Sequence, residues 1–231
     1  MEEKKKPRMA EASWLIGCIL CSLGVATCAK SGLGVSMVVA PAYVMYRKIS
    51  LTVSWFTFGM AEYCLQGVLL VGLGIYLKKF KWKFLLSFVT AFVYGLMIDG
   101  WYLLIGKDQV TGIASQIACM LIGLVITSLS VAFFLRTYFA QEAYEMVVKE
   151  VTEHIGADMN KVKWIYDISS LTVAIIVMLL VFHRFDLTMV GVCTILATII
   201  NAPIIGFFGR ILDKYFDFTP CSEQVYEIFE K

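Results

Sequence analysis

Apolar runs of about twenty residues, set apart by short polar stretches, recur six times along the chain. They cover approximately 12–29, 52–77, 84–106, 112–135, 164–182 and 187–209, and as α-helices rising about 1.5 Å per residue each can cross roughly 30 Å of hydrocarbon. The pattern predicts an all-α polytopic membrane protein, one transmembrane domain over residues 1–231. Between the first two runs lies "KSGLGVSMVVAPAYVMYRKIS", 30–50, apolar but interrupted by Gly32, Gly34 and Pro41. Glycine and proline at this density predict a broken or re-entrant piece, not a seventh span. At 141–156, "QEAYEMVVKEVTEHIG" sets Tyr144, Val147, Val148, Val151 and Ile155 at helical spacing, with Glu142, Glu145, Lys149, Glu150 and Glu153 opposite. That is an amphipathic helix, expected to cap the bundle or lie among headgroups on the cytoplasmic face. The tail, 210–231, has a similar character.

Composition agrees with a lipid environment. The chain is 59% hydrophobic and 16% charged, with a mean hydropathy of +0.77, against about 45–50% apolar and about 25% charged residues in soluble domains. A net charge of +2, with no basic stripe, is too near neutral to imply a nucleic-acid partner, and none is expected. The lipid bilayer is the partner that the sequence requires, and a homo-oligomer is compatible with it. Lys and Arg fall in four groups on one side of the six runs (Lys4–Arg8, Lys78–Lys83, Arg136–Lys163, Arg210–Lys214), while the other side has only Lys30, Arg47, Lys48, Lys107 and Arg184. The positive-inside rule then puts both termini in the cytoplasm. The basic head before the first run has the start of a signal peptide, yet Glu11 interrupts it and no small-residue cleavage site follows, so an uncleaved first span is expected. Seven cysteines lie mostly within apolar runs and read as small packing residues; Cys18 and Cys21 form C-x-x-C without acidic or His company.

The two halves resemble each other. "SLGVA" at 22–26 returns as "SLSVA" at 128–132, Lys30 and Arg136 share that offset of 106, "YVMYRK" at 43–48 parallels "YEMVVK" at 144–149, and Glu62 and Asp167 are 105 apart. Repeats of about 12–106 and 112–214 hold three spans each, and an odd number inserts the second copy upside down. The expected architecture is an inverted repeat, whose use is alternating access around a site near the midplane.

Few polar side chains interrupt the runs. Glu62 is the deepest acid, with Gln66 one turn on; a carboxyl there can take or lose a proton as a cation binds or leaves, or serve as hydrogen-bonding glue between helices. Asp99, beside Trp101 and Tyr102, is either a lining acid or an interfacial one. Asp167 is the presumed mate of Glu62, and equally a boundary residue. Lys30, Ser31, Gly32, Leu33 and Gly34 end the first span, where backbone freed by glycine can meet a polar group of a ligand or simply turn. Candidate substrate- or ion-binding residues are therefore Glu62, Gln66, Asp99, Lys30, Ser31, Gly32, Gly34 and Asp167. No catalytic residue, metal site or cofactor motif is found: His154 and His183 are on different loops, and P-loop, H-E-x-x-H and G-x-S-x-G are absent.

The run "GCILCSLGVATCAKSGLG", Pro41, "FTFGMAEYCLQGVLLVGLGIYLKK" and "AFVYGLMIDGWY", where Gly95 precedes Asp99 by four residues, resemble the YczE/YitT-type bacterial membrane proteins over about residues 12–214. Asn201-Ala202-Pro203 departs from the Gly-Pro-like turn usual in their second half. The resemblance implies a transporter-like fold in the bacterial cytoplasmic membrane without a substrate class. The expectation is a secondary transporter or permease of a small polar or cationic solute. The alternatives are a substrate-binding subunit of an ATP-driven uptake complex, or a non-transporting scaffold.

Overall fold

The computed structural model describes residues 7–106 and 108–220, which are all-α. In chain order the helices are α1 (Ala10–Ser31), α2 (Ala40–Ile49), α3 (Phe58–Leu77), α4 (Trp82–Ile105), α5 (Ile113–Phe134), α6 (Ala143–Ile155), α7 (Met159–Phe182) and α8 (Val192–Tyr215). Five are long and apolar enough to cross a membrane, and α8, bent by 46° at Pro203, makes a sixth if its two pieces are one span. Proline explains the bend, because it lacks an N–H and its ring crowds the preceding turn. The residues beyond 220, half of the expected tail, lie outside the described residues.

Local chemistry sets the boundaries. Gly32 takes the left-handed conformation (φ +68°) that ends α1, its N–H donating to Ala29 O. Pro41 stands in the first turn of α2, where a missing N–H is harmless. The second apolar run was expected from 52, but helix begins only at Phe58, because the Thr57 hydroxyl accepts the Met60 N–H and caps it. Asp158 caps α7 in the same way through Lys161 N–H, so that helix starts earlier than its apolar run. Conversely, the run expected from 187 is non-helical up to Gly191.

Packing and exposure together identify the surroundings. Only 11% of the apolar window of α7 is buried, at a mean hydropathy of 2.3, and Val173, Ile176 and Leu180 point outward. Such a surface is stable in lipid and not in water. This is a polytopic membrane protein.

Helix α1 is the centre. It packs along α5 and α4, α5 packs along α8, the short α2 lies between α3 and α7, and the short α6 between α3 and α7 with an edge on α4. Long, short, long, long is the helix order from α1 to α4 and again from α5 to α8. Individual contacts recur at the same spacing. At the α1/α5 crossing, a Cβ on Gly24 would fall 2.8 Å from Thr127 N, and one on Gly123 2.9 Å from Gly24 O. About two turns away, the Ser130 hydroxyl donates to Gly17 O at 2.9 Å; Gly17 and Ser130 stand 106 residues from Gly123 and Gly24 respectively. Likewise Gly17 faces the Phe134 ring where Gly123 faces the Cys28 thiol.

The short helices differ from a surface layer. The first turn of α6 lies against Glu62 and Gln66 of α3, and its last turn has the His154 ring 5.4 Å from that of Tyr76. Fourteen residues of α3 separate these contacts, about 21 Å of helix, so α6 begins deep in the bundle and runs back out. The amphipathic reading therefore needs correction: Glu142 and Glu150, assigned to a solvated face, are buried, while Ile155 is exposed. Glu150 is paired with Lys81. Helix α2 behaves alike, since residues 37 and 38 just before it touch Ser170 of α7 and Lys48 at its end reaches Val181 O.

The tight crossing makes a stability prediction. Gly24→Ala forces Thr127 and its backbone apart and is expected to destabilise by about 1–3 kcal/mol, whereas Gly100→Ala, with nothing within 4 Å of the new methyl, should be neutral or slightly stabilising. Melting of both variants in the same detergent, read by circular dichroism, checks the difference.

Candidate functional site

Where a chain leaves the helix inside a bilayer, its N–H and C=O groups need protein partners. The first break, after α1, finds them at the start of α8. The Thr194 hydroxyl donates to Val35 O at 2.6 Å, and Cys193 N–H donates to Leu33 O at 2.8 Å. Gly34, at φ +97°, sits so near Gly191 that a Cβ would fall 2.5 Å from its nitrogen. The second break, before α6, is held by α4 and α3. The Thr90 hydroxyl donates to Ala140 O at 2.8 Å, the Ser87 hydroxyl to Gln141 O at 2.6 Å, and Ala143 N–H to Gln66 Oε1 at 3.0 Å. Thr90 and Thr194 thus play one role on α4 and α8.

Between the two breaks lies a partly open cavity of about 440 Å³. Its walls are Cys21 and Val25 of α1, Thr127 and Val131 of α5, Ser36–Val39 of the first break, Gln141, Glu142, Tyr144 and Glu145 of the second, and residues of α4, α7 and α8 including Tyr94, Lys163, Trp164, Asp167, Thr198 and Asn201. Three acids, Glu142, Glu145 and Asp167, face one base. Lys163 is bound by Glu145 at 3.0 Å and Asp167 at 3.3 Å, with Asp167 one turn along α7. These are outside interactions for a charged ligand; Glu142 is different, being 8% exposed with its Oε1 lacking a hydrogen-bond partner.

Glu62 and Gln66 stand behind this wall. Both are fully buried, and Tyr144, which faces the cavity, donates its hydroxyl to Glu62 Oε2 at 2.7 Å. Glu62 Oε1, Gln66 Nε2 and Tyr94 Oη have no hydrogen-bond partner. Glu62 and Gln66 lie one turn apart on α3 and near enough to interact with each other, and buried polar atoms of this kind call for a partner.

The remaining sequence candidates are placed elsewhere. Asp99 accepts from the Thr57 hydroxyl at 2.6 Å and from Gly59 N–H at 2.9 Å, closing the end of α3 onto α4 beside the Gly59–Gly95 contact. Lys30 Nζ donates to Ile105 O and Gly106 O at the end of α4. Ser31 donates to Cys28 O at 2.6 Å and accepts from Leu33 N–H, and Gly32 packs against Gln109. Of the eight candidates only Asp167 lines the cavity; Glu62 is joined to its wall by Tyr144, and Gln66 accepts from Ala143 N–H just behind it. The pocket-wall role expected of Lys30–Gly34 falls instead to Ser36–Val39, just downstream. Sequence reasoning missed Glu142, Glu145, Tyr94 and Lys163. The signal lay in the likeness of "YVMYRK" at 43–48 to "YEMVVK" at 144–149, which sets the stretch around Glu142 beside the break at 30–50.

The chain belongs to the DUF6198 family, described as a family of unknown function, whose profile matches residues 10–210. It is similar to the "Uncharacterized protein YyaS" of Bacillus subtilis (strain 168), with 27% identity over 203 residues, 87% of this chain and 92% of that protein. No solved structure matches it.

Tyr144→Phe removes the bridge and leaves the Glu62 carboxyl buried without that donor, an expected loss of about 1–3 kcal/mol. Glu62→Gln in the same background should recover part of it, because the carboxyl is gone. Thermal melts of the two single variants and the double variant give the coupling; simple additivity would show that the two side chains do not interact.

Proposed function

We propose that this protein is a secondary transporter of a small cationic solute, built as an inverted repeat of α1–α4 and α5–α8. One observation carries the reading: the cavity lies between two re-entrant breaks, one from each half, and presents three carboxyl groups against one ammonium. A binding chamber flanked by broken helices, at the junction of two repeats, suits alternating access. The recurrence of contacts across α1/α5 and of the threonine bonds to the breaks supports the duplication. The resemblance to YczE/YitT-type proteins fits the same reading, as does placement in the bacterial cytoplasmic membrane with both termini inside.

The halves are not packed alike, and this suggests the conformation. Helices α3 and α4 are closed on each other through Gly59, Gly95 and Asp99. At the corresponding places of the second half stand Trp164 and Ile199, both bulky and exposed, and the cavity runs between α7 and α8. By the Lys/Arg distribution the start of α7 is cytoplasmic, so the open side faces the cytoplasm and the Thr57–Asp99 contact is the outer gate in its shut state. In the opposite state that contact breaks while α7 closes on α8.

Two measurements test this. Proteoliposomes challenged with a panel of inorganic cations, amines and organic acids should show flux or current for a cationic member, reduced at least tenfold by Glu142→Gln, about 1.4 kcal/mol or more, and also reduced by Glu62→Gln. Equal flux in parent and both variants would remove the site. With Thr57→Cys and Asp99→Cys combined, oxidation should stop turnover and reductant restore it; continued turnover of the cross-linked protein would remove the gate.

A further inference from the structure

Two buried acids, Glu62 of α3 and Glu142 just before α6, lie near each other, and among the described residues no cation is bonded to either. Glu62 is faced by Tyr144 and Glu142 from the second break, Tyr94 from α4, Tyr166 from α7 and Gln66 from its own helix. Glu142 is faced by Cys18 and Cys21 of α1, Tyr94 of α4, Lys163 of α7 and Glu145 beside it. The one ammonium in this set, Lys163, is occupied by Glu145 and Asp167. Burying two carboxylates with no counter-charge is far more expensive than keeping a proton between them or admitting a cation.

We propose that Glu142 is the seat of a monovalent organic cation and that the Glu62–Tyr144 pair beside it gives up one proton when that cation arrives, so that transport is cation/proton exchange. This rests on the transporter reading and names its substrate class and coupling. Glu142 Oε1, unpartnered in the cavity wall, is the direct contact. Tyr94, Tyr144 and Trp164 offer aromatic surface of the kind that holds alkylated ammonium groups. The cavity suits an organic ion better than a bare metal ion, since among the described residues no three His, Cys, Asp or Glu side chains converge to coordinate one. On binding, the O–H bond of the protonated carboxyl breaks and its electron pair stays on the oxygen. The proton leaves for water through the open side. Glu62 is joined to the cavity wall by Tyr144, whose hydroxyl donates to Glu62 Oε2; when that hydroxyl turns to accept the proton of the Glu62 carboxyl it gives its own to water at the open side, and the tyrosine stays neutral. Charge in the site is unchanged by the exchange, and nothing is oxidised or reduced.

The test uses full-length protein in detergent and needs no flux. Choline is the probe, because a quaternary ammonium carries no proton of its own, and 3,3-dimethylbutanol is its uncharged isostere. Calorimetric titration should show choline binding and the alcohol not binding, and a pH dye in weak buffer should show proton release approaching one per bound choline. Glu142→Gln should weaken choline at least tenfold, about 1.4 kcal/mol or more. Glu62→Gln should keep binding within a few-fold while abolishing most of the release. Unchanged melting by circular dichroism shows that each variant is folded, and if Glu142→Gln is not, Tyr144→Phe replaces it, with binding kept and release lost. Equal binding of the alcohol, no binding of choline, or release unaffected by Glu62→Gln each overturns the inference. Flux persisting with no proton release would spare the transporter reading; binding and release intact with no flux would spare the exchange site alone.

Discussion

Backbone amides outside a helix cannot be left to hydrocarbon, and this chain has two stretches of them at the depth of its core. Everything distinctive in the fold follows from satisfying those two stretches. Each break is fastened by a hydroxyl from the last long helix of the opposite half, Thr194 to Val35 O and Thr90 to Ala140 O, with a second layer of bonds from Cys193 and Gln66. The halves are therefore interlocked: neither can satisfy its break alone. Close packing of α1 on α5 through Gly24 and Gly123 brings the halves near enough for this exchange.

The same constraint produces the cavity. A helix that stops and restarts inside the bundle leaves space at its start, and two such starts face each other across α1 and α5. Apolar filler would have closed that space. The chain instead puts Glu142, Tyr144 and, behind them, Glu62 and Gln66 around it, with Lys163 and Asp167 on the far wall. At the Lys30–Gly34 turn the hydrogen bonds of Lys30 and Ser31 are used in joining α1 to α4 and to its own loop.

Difference between the halves is as informative as their likeness. Glycine at 59 and 95 lets α3 and α4 touch backbone to backbone, and Asp99 fastens the end of α3. Helices α7 and α8, with Trp164 and Ile199 exposed on them, stand apart. In the proposed inverted-repeat mechanism the state with one pair closed and the other open has a mirror state, reached by exchanging which pair is in contact.

The long helices, the membrane environment, the break after α1 and the presence of Glu62 were legible in the linear order of residues, because hydropathy, glycine and proline act locally and lipid imposes a minimum length. An acid and an amide one turn apart within an apolar run likewise singled out Glu62 and Gln66, although α3 begins only at Phe58 and Glu62 stands little more than a turn from its start. What the order of residues could not show is which acids meet. Glu142 and Glu150 have the spacing of a solvated helix face, and only the insertion of α6 between α3, α4 and α7 buries them; Asp99 looks like a lining residue until the start of α3 is brought against it. Local propensity acts within a turn or two of chain, whereas burial of a charge is decided by residues about eighty positions away, as for Tyr144 and Glu62. Tertiary structure alone brought the two breaks face to face and made a chamber of them.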